Sequence, residues 1–98
     1  MLSDSCEMST NEKTILLRTK HELELCVHGA EQVTIDLITR ISASFFDYIN
    51  KINFTEGTEK AVTARGYIAL FFDEKNNMNN KASFALRAHE LIVECIND

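Results

Sequence analysis

The sequence predicts an all-α protein, a small bundle of three to four helices, on three observations. Its 98 residues contain no proline and only three glycines, Gly29, Gly57 and Gly66, so the residues that interrupt helices are scarce. Apolar side chains recur every three or four positions from Val33 to Ile52, as one face of a helix requires. A hydrophobic fraction of 45% against 26% charged residues is enough to close one core and is not the composition of a disordered chain. The rival fold is α+β with an N-terminal hairpin. It rests on the alternation of Leu23, Leu25 and Val27 and on the polar run Arg18 to Glu22, which interrupts the first apolar stripe.

Residues 1–10 are polar and aperiodic, which predicts a flexible N-terminal arm and leaves residues 11–98 as a single helical domain. Ser9 and Glu12 have the spacing of a capping box, with Ser9 bonding the helix backbone and Glu12 reaching back to it. The first helix is expected over Asn11 to His28, burying Leu16, Leu23, Cys26 and Val27 and stopping at Gly29.

The second helix, Val33 to Ile52, carries the strongest pattern in the chain. Val33, Leu37, Ile41, Phe45, Tyr48 and Ile52 make one ridge, and Ile35, Thr39, Ser42, Phe46 and Ile49 a second beside it. An apolar arc that wide predicts neighbours on two sides and hence a central place in the fold. Asn53 to Thr58 is a break, with Thr58 suited to cap a third helix running from Glu59 to about Lys75. Ala61, Ala64, Ile68, Phe71 and Phe72 form its stripe, while Val62, Gly66 and Ala69 make a small ridge against which a neighbour could close. The asparagine-rich stretch Asn76 to Asn80 predicts a loop, with Asn80 capping a last helix that ends near Asn97. There Phe84, Ala88, Leu91 and Cys95 share one ridge, and Ala85, Ile92 and Ile96 the next.

Composition narrows the class of function. Ten basic and fifteen acidic residues give a net charge of −5, and the densest basic pair is Arg18 with Lys20, so nucleic-acid binding is disfavoured. Three widely spaced cysteines without a CxxC pair or a secretory signal predict reduced thiols and a cytoplasmic location. No apolar run reaches the roughly 18 residues of a membrane span. His21, His28 and His89 lack metal-ligand spacing and read as surface or boundary residues. The paired carboxylates Asp73–Glu74 and Glu90/Glu94 read as solvated faces, and the glycines begin no phosphate-binding loop. No catalytic residue, cofactor site or metal site is therefore predicted, and the chain does not read as an enzyme.

The segment KNNMNNKASFALRAHEL resembles the loop and following helix of the YmgB/AriR-type bacterial biofilm regulators. The likeness covers under a fifth of the chain, and what it implies is a helical dimer. The N-terminal half departs from that pattern, so no function is carried over. In size, acidity and helical content the chain is also similar to type III secretion chaperones, colicin-type immunity proteins and phage-encoded inhibitors.

The remaining signal is aromatic. Phe45, Phe46, Tyr48, Phe54, Tyr67, Phe71, Phe72 and Phe84 are more large rings than a four-element core needs, and aromatics are enriched at protein interfaces. The leading expectation is a non-catalytic interaction protein, a regulator, chaperone or inhibitor that binds another protein. A two-fold homodimer is expected, with its seam along Phe46, Ile49, Phe71 and Phe72. Two other classes are an oligomeric DNA-linked regulator using Arg18 and Lys20, and a small-ligand-sequestering protein whose site lies between subunits.

Overall fold

The computed structural model describes residues 9–51 and 59–97. They form four helices, α1 Thr10–Val27, α2 Ile35–Lys51, α3 Glu59–Phe72 and α4 Met78–Asn97, and no strand occurs among the described residues. The all-α reading holds, and the alternative N-terminal hairpin is replaced by α1. Polar Thr19, inside the run that interrupts the apolar stripe, is buried on the same face as Leu16 and Leu23, so the run continues the helix.

The ends of the helices follow from local hydrogen bonding. At the start of α1 the Glu12 amide donates to Ser9 Oγ at 3.2 Å and the Ser9 amide donates to Glu12 Oε1 at 3.1 Å, completing the capping box. Ser9 and Thr10 thus belong to the helix and not to an arm; the rest of the predicted arm lies outside the described residues. At the other end Gly29 sits at φ +84°, the left-handed region that favours glycine. The Ala30 amide bonds the Leu25 carbonyl at 2.9 Å and the Gly29 amide that of Cys26 at 3.2 Å, which is a Schellman closure.

Thr34 caps α2, its Oγ1 accepting from the Leu37 amide at 3.1 Å, so α2 starts two residues after Val33. The predicted break at Asn53 to Thr58 and the Thr58 cap lie outside the described residues. Between α3 and α4 the asparagines act earlier than their spacing predicts. Asn77, not Asn80, caps α4: its Oδ1 accepts from the Asn80 amide at 2.8 Å, and α4 begins at Met78. Asn76 Nδ2 donates to the Leu70 carbonyl at 2.9 Å, and Lys81 Nζ donates to the carbonyls of Phe71 and Asp73. These bonds satisfy carbonyls that the end of α3 would leave unpaired, which is why α3 stops at Phe72 and not near Lys75.

The hub of the fold is α4, not α2. It packs along α3 most extensively and along α1 next, and it also meets α2. Lys60 pairs with Glu94 at 3.5 Å, Tyr67 meets Phe84 at 6.3 Å, and Lys81 lies over Phe71 at 5.3 Å. Together these contacts make α3 and α4 an antiparallel hairpin. Ala82, Ala85, Leu86, Ala88, His89, Leu91, Ile92 and Cys95 are all buried, an arc of more than half the girth of α4. Its alanines let neighbouring helices close in. By contrast α2 buries a single ridge, Leu37, Ile41, Phe45 and Tyr48. Its second ridge faces out, with Thr39 and Ser42 donating their hydroxyls to their own backbone at Ile35 and Ile38.

Candidate functional site

Three parts of the surface combine chemistry with shape. The first is the outer ridge of α2. Ile35 is 75% exposed, Phe46 63% and Ile49 39%, and Phe46 rests against Phe72 of α3 with ring centroids 5.2 Å apart. Phe72 in turn meets Phe71 at 5.2 Å and Phe45 at 6.2 Å, so the exposed Phe46 is the outermost ring of an aromatic cluster that continues into the core. Of the four residues expected at a seam, Phe46 and Ile49 are exposed and Phe72 is half-buried. Phe71 is 1% exposed and packs edge-on against Phe45 at 5.0 Å, so it belongs to the core and not to a surface seam. One turn of helix separates Ile68 from Phe72 and another apolar position, Phe71, falls inside it; the sequence alone does not say which of two adjacent rings points inwards.

The second is a groove of about 360 Å³ between α1 and α2, lined by Glu12, Ile15, Ala43, Ser44, Asp47 and Tyr48. It exists because α1 and α2 hardly approach each other along their backbones and are joined by long side chains. Glu12 meets Lys51 at 2.5 Å, and Glu22 meets Arg40 at 3.1 Å, one pair towards each end. Lys51 and the Ser9 amide hold the Glu12 carboxyl down at about 2. Burial pushes the Tyr48 phenol up to about 12, with the carboxylates of Asp47 and Glu12 adding to it and Ser44 opposing.

The third is a cleft of about 510 Å³ between the end of α1 and the start of α4, with Cys26, Gln32, Asn79 and Ser83 on its walls. The Cys26 thiol donates to the Gln32 carbonyl at 3.8 Å. Burial, then Glu31 and Glu22, raise its pKa, which keeps it protonated where a nucleophile or a metal ligand needs thiolate.

Among the described residues no group of His, Cys, Asp and Glu is arranged to hold a metal ion, and no helix is long and apolar enough to cross a membrane. Arg18 and Lys20 stand two apart on α1, a spacing that puts them on different sides of the helix, so they do not form one basic patch. No protein-family model, curated protein or solved structure matches the chain.

His21 and His28 are exposed, as their sequence context predicts, but His89 is not a surface or boundary residue. It is fully buried, with Nδ1 bonded to the Ala85 carbonyl at 2.7 Å and its ring 5.2 Å from Phe45 and 5.9 Å from Tyr48. Its position between Ala85 and Ile92 on the predicted inner face was the available signal.

Proposed function

We propose that this chain is a small helical bundle that acts as a non-catalytic interaction protein, binding another protein through the outer ridge of α2 and the adjoining edge of α3. The observation that carries this reading is the exposed Phe46 resting on Phe72. A ring left two-thirds in water, with Ile49 exposed one turn along the same ridge, costs solubility for little core packing, whereas aromatic rings are among the residue types that contribute most at interfaces. Across a two-fold axis this ridge would meet its own copy, which is the arrangement of a homodimer, the commonest closed assembly. The acidic charge and the odd number of cysteines suit a reducing cytoplasm.

Phe46→Asp tests the reading in the full chain. Sedimentation equilibrium is expected to give a dimer at tens of micromolar for the parent and a monomer for the variant, with the same helical circular dichroism for both. A parent that stays monomeric to high micromolar concentration and binds no apolar dye removes the self-association; a variant that unfolds shows that Phe46 supports the core instead.

A further inference from the structure

We propose that α2 is an acid-released strap: protonation of His89 at the seam between α2 and α4 frees α2 from the α3–α4 hairpin, while α1, α3 and α4 remain folded together. His89 projects from the hub helix into the ring pair Phe45 and Tyr48, which are two of the four residues α2 buries. Its Nδ1–H donates to the Ala85 carbonyl, which leaves Nε2 as the basic nitrogen, and that atom is buried with no hydrogen-bond partner. A proton arriving there puts a charge into an apolar seam without a counter-ion, and the least costly relief is to open the seam to water.

Among the described residues no carboxylate is buried in this seam to hold the charge. From α2 the only titratable neighbour in contact is Tyr48, which its burial keeps neutral. On α4 itself the Cys95 thiol is buried in the core and the half-buried Glu90 lies beside Arg87, 3.7 Å away. The buried side chains of α1 are Leu16, Thr19 and Leu23, and those of α3 are Ala61, Ala64, Ile68 and Phe71; none titrates. Accordingly burial alone drives His89 down to about 4, opposed only by the Ala85 carbonyl.

Release is local because of how α2 is held. Its inner ridge is a single row of four residues, its backbone meets α3 and α4 sparingly, and among the described residues its ion pairs to α1 are Lys51 with Glu12 and Arg40 with Glu22. The contacts of α4 with α1 and α3 do not pass through it.

Native-state hydrogen exchange between pH 7 and pH 4, corrected for intrinsic rates, reads this directly. The opening equilibrium of the Leu37, Ile41, Phe45 and Tyr48 amides should rise by up to about tenfold per pH unit below pH 6.5, the limit for one proton, while the Ile68 and Ile92 amides keep their protection. In His89→Leu, or in His89→Gln if the former does not fold, the α2 response should lose its slope. In the parent, the His89 ring protons should report a midpoint well below the ordinary 6.5. The proposal is overturned if α2 and the hairpin lose protection together, if the slope survives in the variant that folds, or if His89 titrates near 6.5 with α2 still protected.

Discussion

Lys51, in the last turn of α2, closes on Glu12, in the first turn of α1, and with Arg40–Glu22 this ion pair joins two antiparallel helices whose backbones scarcely approach. Glu12 does double duty, since the same carboxylate completes the capping box on Ser9. Its pKa of about 2 lies below the ordinary carboxylate value, so its contribution to stability is whole above about pH 4.5 and is lost as pH falls through 2. Carboxyl titration by NMR should find Glu12 near 2 in the parent and shifted upwards in Lys51→Met. Glu12→Gln keeps the cap and removes the charge, and should leave the length of α1 unchanged while the ion pair to Lys51 is lost.

The two described glycines should respond oppositely to alanine. Gly29, at φ +84°, strains any side chain, and Gly29→Ala should destabilise the fold by about 1 kcal/mol. Gly66 lies exposed in the middle of α3, and a Cβ there would meet nothing within 4 Å, so Gly66→Ala should stabilise by about 0.5–1 kcal/mol. Urea denaturation of both variants checks the signs.

Two rings that both meet Phe72, one on α3 and one on α2, should separate core from surface. Phe71→Ala removes a fully buried ring and should cost about 3–5 kcal/mol. Phe46→Ala should cost about 0.5 kcal/mol or less in the isolated chain. Thermal melts at low micromolar concentration would distinguish them, and equal losses would contradict the aromatic arrangement described above.

His89 gives the fold a second pH dependence. Its folded value of about 4 lies below the unfolded 6.5, so the unfolded chain binds more protons between those values. The stability it confers is complete above about pH 6.5 and should fall by about 3 kcal/mol by pH 4. Denaturation midpoints at pH 7.5 and pH 4.5, compared between the parent and His89→Leu, isolate this contribution from that of Glu12.

Lys81 ties α4 to the carbonyls of Phe71 and Asp73, so Lys81→Met, which keeps the aliphatic stem and removes the ammonium, should cost about 1–2 kcal/mol. Exchange of the last-turn amides of α3 should rise first.

Elements whose signals are local could be read from the sequence: the Ser9–Glu12 box, the stop at Gly29, and the inner ridge of α2 all appear where spacing puts them. What could not be read depends on partners distant in the chain. Alanine is equally at home inside and outside, so Ala82, Ala85 and Ala88 gave no sign that α4 is the hub. Conversely the two ridges of α2 suggested a central helix, and only the positions of its neighbours decide that Phe46 and Ile35 face water. The small ridge Val62, Gly66 and Ala69 is exposed and receives no helix, because α4 closes on the opposite side of α3 through Ala61, Ala64 and Ile68. For the surface site, three of the four expected residues lie at or near the surface, and Phe71 was lost to the core for the same reason.

That the helix meeting all the others is also the last of the four in the chain has a consequence for biosynthesis. Until Met78 and the residues after it leave the ribosome, α1 lacks the helix it packs on, α2 has only the rings of α3 to meet, and α3 lacks the helix it lies along. At roughly 5–20 residues per second the incomplete chain spends several seconds with Leu16, Phe45 and Ile68 uncovered. Folding is then a single late event in which residues near position 20 must find residues near position 90, a long closure for an all-helical protein. A nascent chain stalled before α4 should accordingly be the form that protease digests and that chaperones hold.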